Sequence, residues 1–145
     1  MRYRGFTLIE ILIVASIAIV LALAVGIGGF ERTVTGDAVR NAKIAIRSEL
    51  ARAQHDTILE TSDVPWGVAF TEHAITRFMG TSFAARNQAY DTTVTFPDTV
   101  SITAPAEITF THPEGTPGAS ASIVITDGSR TETITLSLAG AISLQ

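Results

Sequence analysis

The pattern of apolar and polar positions changes twice along the chain. From Ile11 to Phe30 twenty consecutive residues carry no charge, and most are apolar. At about 1.5 Å per residue, a helix of that length spans roughly 30 Å, the hydrocarbon thickness of a bilayer. Buried core helices rarely stay uncharged for so long, so the run reads as a membrane span. From Thr35 onward the pattern becomes a stripe. Val39, Ala42, Ile46, Leu50 and Ala53 recur at spacings of three and four, the signature of an amphipathic helix. Arg40, Lys43, Arg47, Glu49 and Arg52 fall largely beside or opposite that stripe. The pattern fades near Ile58 to Glu60, before Thr61, Ser62, Asp63 and Pro65. One helix from Phe6 to about Leu59 is therefore predicted, roughly 80 Å long. Its outer half needs a sheet to cover the stripe. Its inner half has only lipid or neighbouring subunits to contact.

Gly26, Gly28 and Gly29 fall inside this helix, each costing about 1 kcal/mol of propensity relative to alanine. They suit either close helix packing in a membrane or a point where the helix bends or melts.

After Pro65 the period drops to two. Trp66, Val68 and Phe70 alternate, a short polar turn follows, and Ile75 to Met79 completes a hairpin. Gly80 to Asp91 shows no period and is expected to be a loop. Short strands are expected at Thr93 to Phe96 and Val100 to Thr103, and another around Ile108 and Phe110. His112 to Gly118 (HPEGTPG) is rich in turn formers. Ile123 and Ile125 lead to Asp127-Gly128, a hairpin signal. Ile134, Leu136 and Leu138 answer on the return strand. Ala139-Gly140 then turns into a last strand, Ala141 to Leu144. The fold class expected is α+β: a long N-terminal helix, its outer half packed on an antiparallel β domain.

Charge adds direction. Arg2 and Arg4 precede the apolar run, and Glu31 and Arg32 follow it. The positive-inside rule places the N-terminus in the cytoplasm and everything past Phe30 outside. The formal net charge is −4, and it is unevenly spread: residues 61 to 145 hold eight acidic side chains against Arg77, Arg86 and Arg130. An acidic outer domain argues against nucleic acid as a partner, which requires clustered Lys and Arg. There is no cysteine, so neither a disulfide nor a thiolate metal site is available.

The most specific signal lies at the start. Arg2 and Arg4 stand in a five-residue leader that runs directly into Gly5-Phe6-Thr7-Leu8-Ile9-Glu10, and one carboxylate sits just inside the apolar stretch. A charge at bilayer depth is costly and usually functional. This arrangement strongly resembles the signal of type IV prepilins and type II secretion pseudopilins. The resemblance implies cleavage between Gly5 and Phe6 by prepilin peptidase and N-methylation of Phe6. Unlike a secretory signal, the cut would leave the apolar helix on the mature protein. The resemblance also implies an assembly role for Glu10, whose carboxylate would meet the N-terminal amine of a neighbouring subunit. Leu50-Ala51-Arg52-Ala53-Gln54, then Trp66-Gly67-Val68, resemble the GspH/FimT family of minor pseudopilins and pilins. So do Phe110, Glu114-Gly115, Ser122 to Ile125, Arg130, Ile134 to Ser137 and Gly140-Ala141-Ile142. The chain departs from common pilin patterns in lacking a helix-breaking proline, a C-terminal disulfide and an evident calcium loop; the last favours a minor subunit.

Other residues point less far. His55, His73 and His112 have no ligand spacing, so no metal is expected. No nucleophile motif surrounds Ser120 or Ser137, and neither a catalytic constellation nor a cofactor site is expected. Arg130 stands beside Asp127 and Glu132 and reads as a solvated turn residue rather than a DNA contact. Trp66 reads as core packing between helix and sheet.

These readings divide the chain into a leader (1–5), a transmembrane and assembly segment (6–30), an amphipathic continuation (31–60) and a β domain (61–145). The function expected is a non-enzymatic subunit of a type II secretion pseudopilus, single-pass in the inner membrane. Its expected partners are prepilin peptidase, other pseudopilins or pilins, and inner membrane lipid. The alternative is a minor pilin of a type IV pilus or DNA-uptake machine.

Overall fold

The structure, a computed structural model, describes residues 8–59 and 63–144, with side-chain surroundings for all of these except 20–37. Among the described residues one helix, α1 (Leu8–Leu59), is followed by nine strands: β1 (Trp66–Phe70), β2 (Ala74–Met79), β3 (Asn87–Thr95), β4 (Ser101–Thr103), β5 (Glu107–Thr111), β6 (Thr116–Pro117), β7 (Ala121–Thr126), β8 (Thr131–Leu136) and β9 (Ile142–Leu144). The helical backbone is continuous through Gly26, Gly28 and Gly29. The chain forms two compact units, 1–35 and 36–145, so the outer half of α1 belongs with the strands.

The strands form two antiparallel sheets rather than one, with orders β3-β2-β1-β5-β6 and β4-β7-β8-β9. Both contribute to a single core. Val39, Ala42, Ile46, Leu50 and Ala53 of α1 are all at most 1% exposed, as the stripe requires. They meet Val68, Ile75 and Phe110 from the first sheet and Ile123, Ile125, Ile134 and Leu136 from the second. Burying a large aliphatic side chain is worth about 1.5–3 kcal/mol, so this stripe is what fixes the helix to the sheets.

Polar contacts set the register of that packing. Thr57 Oγ1 donates to Ala53 O at 2.8 Å and accepts from the backbone N–H of Trp66 at 2.9 Å, joining the helix end to the first strand. Gln54 Nε2 donates to Gly115 O (2.8 Å) and Gly140 O (3.2 Å), holding two turns against the helix. Gly140 has φ +80°, and a Cβ there would lie 2.4 Å from Gln54 Nε2, so a side chain fails on both counts. Lys43 Nζ reaches Glu132 of β8 at 2.5 Å.

Two sequence expectations need correction. Asn87 to Asp91, expected in a loop, begins β3. This is an edge strand whose first four residues are exposed, so no apolar alternation marks it. Leu138, expected on the return strand, lies beyond β8 and is 63% exposed. The hairpin expected at Asp127-Gly128 does form, its turn running over 127–130 between the paired Thr126 and Thr131.

The aperiodic segment before β3 also has a definite role. Ile75 and Arg77 of β2 point toward α1, so Phe78 points away, and it is fully buried. Across the sheet it faces Gly67, where a Cβ would come within 2.7 Å of the ring. Phe83 covers Phe78 edge-on, with centroids 5.5 Å apart. Arg86 lies over Phe83 at 3.7 Å and pairs with Asp91 at 2.7 Å. The backbone N–H of Phe83 donates to Glu107 at 2.6 Å. The segment is thus a lid over the outer face of the first sheet.

Candidate assembly segment

The described inner part of α1 is a helix whose apolar side chains stand exposed. Eight large apolar residues lie between Leu8 and Ile19, and their exposures run from 52% at Ile13 to 81% at Leu8. They occupy every side of the helix, so no single stripe could be hidden against a sheet. An all-round apolar helix is stable only in lipid or among other helices. Among the described residues no helix is long and apolar enough to cross a membrane. Residues 20–30 of the uncharged run fall outside that statement.

Two polar side chains interrupt this surface, and they are handled differently. Ser16 Oγ donates to Ile13 O at 2.8 Å, so its hydroxyl is satisfied within the helix. Glu10 is exposed and has no ion-pair partner among the described residues. Glu10 and Ile11 line a shallow recess with Val14, Ala15 and Ala18, where two alanines leave room beside the carboxylate. An unpaired carboxylate on an apolar helix demands a partner cation or a proton once water is removed. Gly5 and Phe6, the expected processing residues, lie outside the described residues.

The other singled-out residues are placed clearly. Trp66 is buried and meets Tyr90 edge-on at 6.0 Å, as a core residue between helix and sheet. Arg130 is exposed, and its backbone N–H donates to Asp127 Oδ1 at 2.7 Å. His73 bonds Val100 O at 2.8 Å, and His112 lies 2.9 Å from Asp63. Ser137 Oγ accepts from the N–H of Ala141 at 3.1 Å in the last turn. Among the described residues no three acidic or histidine side chains cluster in a way that could hold a metal.

Sequence reasoning missed one charged cluster. Glu49, read as lying beside or opposite the stripe, is buried. Arg77 Nε donates to it at 3.0 Å, and Arg77 also reaches Asp56 at 2.6 Å. Arg52 completes the group 3.2 Å from Glu49, and Arg77 lies over the Trp66 ring at 4.9 Å. The signal was available: Arg77 occupies an inward position of β2, and a cation on an apolar face must find a carboxylate.

Comparison with known proteins agrees with this arrangement at both ends of the chain. Residues 1–26 match the prokaryotic N-terminal methylation motif, a stretch containing Gly5, Phe6 and Glu10. The structure resembles that of the minor pseudopilin EpsH from the type 2 secretion system of Vibrio cholerae. The likeness has a TM-score of 0.59 at 14% identity, over 74% of this chain and 96% of that one. The likeness is one of fold, an N-terminal helix packed on antiparallel sheets. Among curated proteins none matches the sequence significantly. The chain therefore joins a prepilin-type N-terminus to a pseudopilin-like α+β unit.

Proposed function

We propose that the chain is a minor pseudopilin, a structural and non-enzymatic subunit of a type II secretion pseudopilus. One observation carries this reading: a methylation-type N-terminus and a helix-on-sheets unit like that of EpsH occur in the same chain. Prepilin peptidase would cut after Gly5 and methylate the new amine of Phe6. The apolar half of α1 would hold the mature subunit in the inner membrane as a single pass, with the β unit outside. On assembly, lipid around that half would be exchanged for the helices of other pseudopilins. Glu10 would then pair with the N-terminal amine of a neighbour, fixing axial register. Both charges leave water together, and the attraction between them offsets the desolvation cost that each would meet alone.

A minor pilin of a pilus or DNA-uptake machine would share this motif and architecture. The fold likeness to a secretion subunit supports the first reading by analogy. The decisive experiment is intact-mass measurement after co-expression with prepilin peptidase. The expected species lacks five residues and carries methylated Phe6. An uncut chain beside an active peptidase would sink the reading. Deletion of the gene separates the two systems: loss of an exported protein supports secretion, and loss of pili or DNA uptake supports the pilin alternative.

A further inference from the structure

We infer that the groove between α1 and the outer edge of β9 is a docking site for an extended acidic segment of a partner protein, which adds as a strand to β9. The groove is lined by Arg40, Lys43, Ile44, Arg47, Glu132 and Leu144, and holds about 680 Å³. Two independent features define its occupant.

The first is an open strand edge. β9 is the outermost strand of the second sheet, paired to β8 alone among the described residues. Its free side presents backbone donors and acceptors to any extended chain. Ile142 packs against the core and Leu144 lines the groove, so the inward face of β9 is the face toward α1. An added strand would continue that face about 4.8 Å further out. Alternate side chains would then project over the exposed side of α1, where Ile44 is 57% exposed.

The second is charge. Arg40 and Arg47 sit two turns apart on that side, both exposed and neither with an ion-pair partner among the described residues. Lys43 is already engaged with Glu132, which closes one wall of the groove. The partner's inward positions are thus specified as carboxylates opposite Arg40 and Arg47, with an apolar residue between them against Ile44 and Leu144. Arginine is well suited to such contacts, because its guanidinium grips a carboxylate through two donors. A basic or neutral helix would satisfy neither the open edge nor the arginines.

The groove lies wholly within residues 40–144 and is present whether or not the chain enters a pseudopilus. The test uses the full chain in detergent and three capped peptides: one whose alternate residues read glutamate, valine, glutamate with threonine between them, the same peptide with lysine for glutamate, and the glutamate–valine peptide with prolines in place of the threonines. The glutamate–valine peptide should bind and slow amide exchange at residues 141–144. Charge reversal of Arg40 and Arg47 to glutamate should weaken it about tenfold or more. The lysine and proline peptides should bind at least about tenfold more weakly than the first. Equal binding of the proline peptide would reduce the site to nonspecific electrostatics and overturn strand addition. Absence of exchange protection at β9, or indifference to charge reversal, would overturn the proposal outright. So would self-association of the chain through an Ile44→Cys crosslink, which would assign the groove to a second copy. Each variant's melting temperature should match the parent's, since Arg40 and Arg47 are exposed and have no ion pair among the described residues. If the reversal variant melts early, Arg40→Gln with Arg47→Gln gives the same comparison at unchanged shape.

Discussion

The two halves of α1 pose the same physical problem and solve it in opposite ways. Each has a run of apolar side chains with a carboxylate set into it. In the outer half the apolar residues form a stripe, and two sheets cover it until Ile46, Leu50 and Ala53 reach 0% exposure. The carboxylate there, Glu49, is buried against Arg77 and Arg52. In the inner half apolar residues cover every side, and nothing within the described chain buries Leu8 to Ile19. Its carboxylate, Glu10, has no described ion-pair partner. The difference shows what apolar periodicity encodes. A stripe specifies a partner within the same chain, and an all-round apolar surface specifies a solvent or a crowd of other helices. A helix can thus be complete as a fold at one end and unfinished as a structure at the other.

The sharpest way to break this contrast is to cut into the core on one side only. Leu50→Ala should cost the outer unit about 3–5 kcal/mol, because a fully enclosed leucine leaves a cavity that the two sheets cannot close. Ile17→Ala should move that unit's melting by no more than about 0.5 kcal/mol, since Ile17 is 55% exposed and belongs to the other unit. Thermal unfolding of the two variants side by side reads the comparison directly. Equal losses would mean that the inner half is coupled to the outer fold after all. The next largest effect belongs to the ionic cluster. Arg77→Met strips Glu49 of its closest cation and should cost about 3 kcal/mol, near the lower end for a broken buried pair because Arg52 remains. Adding Glu49→Gln to that variant should recover part of the loss, as the stranded charge disappears.

Glu10 sharpens the comparison from the other side. Glu10→Ala should leave the outer unit's melting unchanged and leave membrane insertion intact, because removing a charge eases burial in lipid. The loss should appear only in assembly: processed protein retained in the membrane, with crosslinks to partner pseudopilins diminished. Unaltered crosslinking and export in that variant would make the carboxylate dispensable.

Much of this was legible in the sequence because burial imposes a period. The stripe from Val39 to Ala53 named the helix face that the core uses, and Trp66-Val68-Phe70 against Ile75 to Met79 named the first hairpin. What stayed hidden lacked such a period. β3 begins on exposed residues, Asn87 to Tyr90, where neither face is apolar enough to alternate. The lid through Phe83 and Arg86 is held by ring contacts, an ion pair and hydrogen bonds, none of which repeats along the chain. The division into two sheets depends on long-range pairing, such as Ile102 with Ile125, that local pattern does not contain. Glu49 was missed because a charge next to an apolar stripe looks solvated until the position of Arg77 is known. For the candidate site the position was reversed. GFTLIE is a strong sequence signal, and the structure adds only that Glu10 stands exposed on an uncovered helix.

The smallest expected effect concerns a third carboxylate, satisfied by neither a distant residue nor a missing neighbour. Asp127 accepts from the N–H groups of Arg130 (2.7 Å) and Ser129 (2.9 Å) and from the Ser129 hydroxyl (2.8 Å) within its own turn. These bonds favour the ionised form. The backbone donor of Arg130 contributes most, so the carboxyl group is held below its ordinary 3.8. A carboxylate whose folded pKa is depressed contributes its stability in full above the unfolded value. It loses that contribution as pH falls through the lower folded value. Asp127→Asn keeps an oxygen acceptor but removes the charge. The variant should therefore melt slightly below the parent at neutral pH, and the gap should close as the pH drops below about 3.8. The group lies in a half-exposed surface turn, so the gap should be the narrowest of the series. Amide exchange at Ser129 and Arg130 is the more sensitive readout, and it should quicken in the variant at neutral pH while α1 is undisturbed. A gap that widened on acidification would mean that the turn holds the protonated acid, and would reverse the assigned direction.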